Sequence, residues 1–439
     1  MNRFLSFFKL GVKYLYRYKK RYYFLLAALV FGFGTIGFVT STKDGMYNNV
    51  YFAAQSHYAG DIVAVADYSP RRGTLIHRMG INEINAIMEA AELAGINPQY
   101  TVIRTITWRD AVLHFNGFTA SLRNLIGSDW ESEAHLFANK NFYEAPVSDI
   151  GDDGIILSLA VAESLGIRMG DMLILELNTM YGQRNTGQFI VRGIVDDTSL
   201  FGYFKAYISR LSHNRLLLFE DDDASSVGFF LYNTDTAEKD RLHLHEYMVP
   251  LLQTGHLFYD REGMENRSRN NPWEGVRVFL YTMPVYLSEI AFFLDALNII
   301  SYIVYIMMLI AVFVSSLVTY RLILHERTRE MGVMRTIGFF GQDLSLVLWS
   351  EIMVLGLVSM LFGFILTLFF NFCASFISFS WLPGFDIFLR NGKLSPLYLR
   401  ETVLTNIILL FIVLFLLVLA PSIRVSLKKL PALLSGEPI

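Results

Sequence analysis

Cysteine is almost missing from this 439-residue chain. The single one, Cys373, closes an apolar run, so no intrachain disulfide can form and any water-exposed domain must be held together by its own core. Charge is scarce as well: 18% of residues are Asp, Glu, Lys or Arg, against 53% hydrophobic and 15% aromatic. That balance is too apolar for an ordinary soluble enzyme and too charged for a chain lying wholly in a bilayer. The motifs of common chemistries are missing too. The nearest approach to a phosphate-cradling loop, Gly392-Lys393, has Ile387 where the first glycine belongs and Leu394 where a hydroxyl residue belongs. There is no Gly-x-Ser-x-Gly elbow, no zinc-protease helix and no second cysteine for redox work.

What the chain does have is long apolar runs. Residues 22–42, 291–320, 344–370 and 402–420 each approach the roughly 20 residues that cross about 30 Å of hydrocarbon, and are predicted as four transmembrane helices. The net charge of −3 hides an asymmetry. Residues 43–290 carry an excess of about a dozen acids, while the short segments beside the spans are basic by about nine. Basic flanks at Lys19 to Arg21, Arg321 to Arg335 and Arg424 to Lys429 place both termini inside and residues 43–290 outside. The fold expected is an α-helical membrane protein with four transmembrane helices and a large mixed α/β extracytoplasmic domain between the first and second. Nothing in the charge pattern points to nucleic acid.

In chain order, residues 1–21 alternate Lys and Arg with Phe, Leu and Tyr and contain no acid, which predicts an interfacial amphipathic helix on the cytoplasmic face. Gly32-Phe33-Gly34-Thr35-Ile36-Gly37 fits the dinucleotide fingerprint by letter, but it lies inside a predicted span with no strand before it. Ala28, Gly32 and Thr35 instead share a helix face of small residues suited to close helix packing, and Gly356, Ser359 and Gly363 form another. Glu351 lies two turns into the third span and is expected to snorkel to the cytoplasmic interface.

The 43–290 region starts as a helical continuation to about Tyr58. Strands are expected at Asp61 to Asp67, Met172 to Leu177 and Phe189 to Val195, and a helix over Asn82 to Ala94. Asn116-Gly117 between Ala111 to Phe115 and Phe118 to Leu125 is a strong hairpin signal. Thr236 to Leu252 reads as a helix, Thr254 to Glu274 as an exposed loop, and Val276 to Ile290 as a second stalk helix. Glu220 to Asp223 lacks the spacing and glycine of a calcium loop and reads as a solvated turn. His243 and His245 point apart on a helix, so no metal site is expected. A short external loop, 371–401, and a cytoplasmic tail, 421–439, complete the expected layout.

The run HERTREMGVMRTIG, His325 to Gly338, resembles the cytoplasmic junction between the second and third membrane helices of FtsX-like permeases of ATP-binding cassette systems, which include macrolide exporters and lipoprotein-releasing permeases. GIILSLAVAESLGIRMGDMLILEL, Gly154 to Leu177, is similar to their external domains, and PSIRVSLKKLPALL near the end adds to the likeness. The resemblance implies that residues 321–341 hold a coupling helix seated in a groove of a separate ATPase. Glu326, Arg329, Glu330, Met331, Gly332, Met334, Arg335, Ile337 and Gly338 would be its residues, with Met331, Met334 and Ile337 as the buried contact. A basic stop-transfer tail is the competing reading of the same stretch.

The resemblance further implies a non-catalytic permease subunit in a bacterial inner membrane, its large domain facing the periplasm. ATP and Mg would be bound by a partner cassette ATPase dimer, and none in this chain. A second permease, identical or a paralogue, would complete the complex, and membrane lipids would surround it. The likeness to lipoprotein-releasing permeases implies a lipoprotein or lipid-linked cargo, met by stalk faces at Met46, Val50, Met283 and Leu287. A macrolide-exporter-like efflux permease, or a signalling scaffold that activates wall hydrolases, are the alternatives.

Overall fold

The computed structural model describes residues 13, 15–17, 19–70, 75–146, 149–196, 201–266, 273–379, 381, 385, 388–390 and 392–427. The chain divides into two compact units, one of Met1–Asn48, Phe293–Phe379 and Lys393–Ile439, the other of Asn49–Phe292 and Ser380–Gly392. Most of the expected N-terminal amphipathic helix, the basic residues Arg267 and Arg269, and the tail from Lys428 onward lie outside the described residues.

The first unit is built from helices. α1 (Lys19–Tyr58), α2 (Ala291–Thr336), α3 (Gly341–Ser375) and α4 (Arg400–Leu427) are each long and apolar enough to cross a membrane. They overrun the predicted spans because helix-forming sequence continues past the apolar window. α3 runs on to Ser375, so the expected external loop starts later than 371. Pro421, expected to end the fourth span, sits inside α4. A proline forfeits one backbone hydrogen bond there, which a helix tolerates when its neighbours hold it in place. The core joins all four helices through Leu25 and Leu29, Tyr320 and Ile323, Leu348 and Ile352, and Leu414 and Leu417.

Close approach in this unit depends on glycine. A Cβ on Gly32 would overlap Val312 of α2, and one on Gly356 would overlap Leu414 of α4. A Cβ on Gly363 would stand 2.6 Å from Phe33 of α1. Where α1 and α3 meet, Thr367 Oγ1 donates to the Gly34 carbonyl at 3.1 Å. Ser359 is fully buried and donates back to Gly356, whereas Ala28 is only half-buried and Thr35 bonds its own helix through the Phe31 and Gly32 carbonyls.

The second unit is a mixed α/β domain with, among the described residues, ten strands: β1 (Ile62–Ser69), β2 (Tyr100–Phe115), β3 (Phe118–Ser128), β4 (Phe142–Glu144), β5 (Gly154–Ser158), β6 (Met172–Asn178), β7 (Arg184–Val195), β8 (Lys205–Ser209), β9 (Ser226–Phe230) and β10 (Gly275–Thr282). Two lobes share β2. In one, the antiparallel order β10-β1-β9-β2 carries the helices Ile81–Leu93 and Ala237–Met248, giving the β-α-β then β-α-β succession of the split ferredoxin-like arrangement. In the other, β2, β3, β8, β5, β7 and β6 pair in turn and β6 returns to β2, so six strands close a ring. Leu113, Leu125, Ile155, Leu175, Val191 and Ile208 belong to the core of this ring.

A bulge lets one strand serve both lobes. Tyr100 to Arg104 pair with β9, Ala111 to His114 pair with β6, and the register shifts between Trp108 and Ala111, where Arg109 takes φ +57°. An extra residue at such a point re-aims a strand. The β2–β3 turn is the expected one, Asn116 and Gly117 both having positive φ, +46° and +85°. One expectation fails. Val276 to Thr282 is not stalk helix but β10, paired with β1 along its whole length, and the short helix Met283–Leu287 and a 3-10 turn at Ser288–Ile290 separate it from α2. Its inner residues are buried on both faces, which erases the period-2 signal and leaves an apolar run that imitates a helix.

Candidate functional site

The corner between α2 and α3 is shaped by its sequence. Gly338 takes φ +109°, a conformation that suits glycine, and the Phe339 amide reaches back to the Met334 carbonyl at 3.2 Å to close the end of α2. Two residues later Asp343 Oδ2 accepts the Phe340 amide at 2.9 Å and starts α3. Glu326, Arg329, Val333 and Ile337 recur at helical spacing on the exposed side of α2; Ile337 is 75% and Phe340 70% exposed.

The opposite side corrects the expected contact face. Met331 and Met334 are buried in the unit's own core with Tyr22, Leu25, Leu344 and Leu348, and Gly332 is buried beside them. Three-residue spacing does put Met331, Met334 and Ile337 on adjoining strips, but packing against α1 and α3 consumes the first two. Ile337 alone of that trio stays outside, in company with Val333 and Phe340. Glu330 and Arg335 are half-buried.

Behind this corner lies a buried ion cluster. Arg327 Nη1 donates to Glu351 Oε2 at 2.7 Å and to the Tyr22 hydroxyl, which itself donates to the same carboxylate oxygen at 2.6 Å. Glu351 is fully buried and Arg327 is 2% exposed. The expected snorkelling of Glu351 is therefore overturned: its charge is met in place by an arginine one helix away. A lone acid inside a membrane costs about 2.5–3.5 kcal/mol or more, and pairing with hydrogen bonds is the way to offset it. Arg21 reaches Glu326 at 3.4 Å and Glu330 at 4.0 Å, and Arg327 Nε stands 3.7 Å from Glu330, so α1, α2 and α3 are joined by charge at this level.

The second unit holds its own buried charges. Arg104 on β2 sets Nε and Nη2 on Glu133 Oε2, and its Nη1 donates to the carbonyls of Ser56 and His57 at 3.1 and 2.9 Å. Those carbonyls belong to the last turn of α1, where a cation suits the negative end of the helix dipole. Lys205 Nζ lies 3.0 Å from His57 Nδ1, which can accept only if the imidazole is neutral. Tyr51 and Gln55 of the same helix donate to Asp61, whose carboxyl burial raises above its usual range. Tyr58 stacks on Tyr286 at 3.7 Å.

The proposed cargo faces are mostly closed. Val50, Met283 and Leu287 are buried inside the second unit at 1%, 0% and 7% exposure, because β10 and the short helix after it are part of that domain's wall. Met46 is half-buried. Among the described residues no group of acidic, histidine or cysteine side chains could hold a metal. Glu220 to Asp223 does form a turn, but Asp223 is buried at 2%, holds Arg78 and accepts the Glu220 amide at 2.9 Å, so it is part of the fold. His245 bonds the Gly255 carbonyl.

Four long apolar helices with a mixed α/β domain inserted between the first two are an arrangement consistent with a permease. Residues 302–430, which hold most of α2 and all of α3 and α4, match the family described as FtsX-like permease C-terminal. Among solved structures, the periplasmic region of MacB from Actinobacillus actinomycetemcomitans aligns at 11% identity over 54% of this chain and 95% of its own, with a TM-score of 0.30. A domain of a putative permease protein from Porphyromonas gingivalis aligns at 12% identity over 51% of this chain and 89% of its own, with a TM-score of 0.26. No curated protein matches.

Proposed function

We propose that this chain is the permease subunit of an ATP-binding cassette transporter, driven by a separate cassette ATPase that binds ATP and Mg and docks at the α2–α3 corner. The observation that carries the reading is the exposed apolar and basic stripe of Arg329, Val333, Ile337 and Phe340 within a segment that matches the FtsX-like permease family. An apolar cluster of that kind at the end of a helix suits a groove on a partner. The chain works in a bacterial inner membrane with a second permease, identical or a paralogue, and its inserted domain lies in the periplasm.

The cargo is a lipid-anchored protein lifted from the outer leaflet, as the likeness of Gly154 to Leu177 to lipoprotein-releasing permeases supports. Contact runs through surfaces other than the buried Val50, Met283 and Leu287, with Met46 the candidate that stays accessible.

Co-purification of the full chain with its ATPase tests the first part. Ile337→Asp and Phe340→Asp should each leave the chain membrane-inserted and remove the ATPase. Retention of the ATPase by both would place docking elsewhere. A photocrosslinker at Met46 should capture lipoproteins; capture of small drugs or of a wall hydrolase in their place would move the cargo to efflux or signalling.

A further inference from the structure

Between α2 and α4 the helical unit has a crevice of about 310 Å³, its open mouth included, lined by Leu317, Arg321 and Leu324 of one helix and Ala420, Pro421 and Arg424 of the other. That volume falls at the lower end of small-molecule sites, which run from about 300 to 1,000 Å³. Arg321 follows Leu317 by one helical turn, and Arg424 follows Ala420 by one turn. On the four-span topology both helices run toward the cytoplasm, so each arginine lies on the cytoplasmic side of its apolar neighbour. Val314 and Leu416, a further turn back on each helix, are 50% and 47% exposed and continue the apolar walls. The crevice is therefore graded, apolar toward the middle of the spans and doubly cationic toward their ends.

The two guanidiniums face no acid. Among the described residues neither Arg321 nor Arg424 makes an ion pair or a side-chain hydrogen bond, and both are exposed. The carboxylates of this region are held elsewhere: Glu326 and Glu330 by Arg21, and Glu351 by Arg327. Two cations at one mouth repel each other, and an anion between them reverses the sign of that interaction. Farther from the cytoplasm Tyr305 of α2 donates to Asn406 of α4 at 3.2 Å, a direct tie between the helices. At the arginine end a shared anion would supply the corresponding tie.

We propose that Arg321 and Arg424 form a binding site for an anionic phospholipid of the inner leaflet, its phosphodiester bridging the two guanidiniums and an acyl chain lying against Leu317 and Val314. The inference rests on the proposed membrane topology, in which this end of α2 and α4 is cytoplasmic. Arginine suits the task because its planar fork matches two phosphate oxygens at once. Basic pockets between spans on the cytoplasmic side suit anionic headgroups in general. The apolar walls behind the arginines select a lipid over a free phosphate ester, which has no chain to lay along them.

The test uses the full chain, purified in detergent and delipidated. Tm is measured with dioleoylphosphatidylglycerol, with zwitterionic dioleoylphosphatidylcholine, and with glycerol 1-phosphate, which carries the phosphate without chains. Phosphatidylglycerol should raise the Tm of the parent well beyond phosphatidylcholine, and glycerol 1-phosphate at the same concentration should leave it unchanged. Arg321→Gln and Arg424→Gln should each lose part of that difference and the double variant nearly all of it. Arg321→Lys/Arg424→Lys, which keeps the charges without the forks, should fall between. Lys20→Gln removes another exposed cation from the same side of the topology and should keep the full difference. A full difference in the double Gln variant, or an equal loss in Lys20→Gln, overturns the site. An equal shift with glycerol 1-phosphate overturns the lipid as its occupant. Each of these leaves the permease reading standing, because co-purification with the ATPase tests that separately. Absence of the ATPase from the parent, with the lipid results as expected, overturns the permease reading and keeps the site.

Discussion

Arg327 and Glu351 meet at 2.7 Å in the buried core of the helical unit, 24 residues apart on two consecutive helices. The pair holds α2 to α3 behind the very corner that turns one into the other, and Tyr22 brings in α1. Removing one partner strands the other. Glu351→Leu alone should cost about 3–5 kcal/mol, while Arg327→Met/Glu351→Leu should cost far less, because matched apolar side chains need no counter-charge. Thermal unfolding of the two variants in one detergent gives the comparison. Equal losses would mean that the pair contributes by its packing alone.

A pH dependence follows from His213. This imidazole lies fully buried on the helix Arg210–Leu217, 2.9 Å from the Thr107 hydroxyl, and burial pushes its pKa down from 6.5 to about 3. Above 6.5 neither the folded nor the unfolded chain protonates it. Between 6.5 and 3 the unfolded chain binds a proton that the folded chain refuses, so stability falls as pH drops, by up to about 1.4 kcal/mol per unit. Chemical denaturation from pH 7 to pH 4 should show this slope, and His213→Gln should flatten it. An unchanged slope in the variant would assign the acid sensitivity to other groups.

Much of the fold was legible because local chemistry and tertiary structure agree. Four apolar runs became four long helices, and Asn116-Gly117 became the hairpin turn. The misreadings share one physical cause, long-range packing. Nothing near Val276 reveals that β1, some 200 residues earlier, will pair with it, so a doubly covered strand passed for a helix. Closure of the six-stranded ring depends on β6 finding β2, again a distant partner. At the corner the helical spacing of Met331, Met334 and Ile337 was visible, but which strip faces inward depends on where α1 and α3 lie. Glu351 looked uncomfortable in sequence, and that discomfort was the signal of its partner.

Helix approach in the first unit gives a steric prediction. Gly32→Ala would drive a methyl group into Val312, a branched side chain with little freedom to move aside. Overpacking of this kind costs about 1–3 kcal/mol. Pairing it with Val312→Ala should recover a good part of the loss, since the two changes restore the total volume at one contact. Additive losses in the double variant, read by thermal unfolding, would show that the α1–α2 approach is not limited at Gly32.

The sharpest contrast lies between Met331 and Ile337, six residues apart on α2 and opposite in environment. Met331 is 2% exposed within the helical core, and Ile337 is 75% exposed at the corner. Burial of a methionine side chain is worth about 1.5–3 kcal/mol, and an aspartate in its place would add an unpaired buried charge, so Met331→Asp should fail to accumulate or should unfold at much lower temperature. Ile337→Asp places the same carboxylate in water next to a chain reversal and should leave folding within about 0.5 kcal/mol of the parent. Its effect, on the proposed function, is the loss of a partner contact. Membrane accumulation and Tm separate the two variants before any ATPase is added. A well-folded Met331→Asp would mean that this strip of α2 is not core after all and would return it to the candidate docking face.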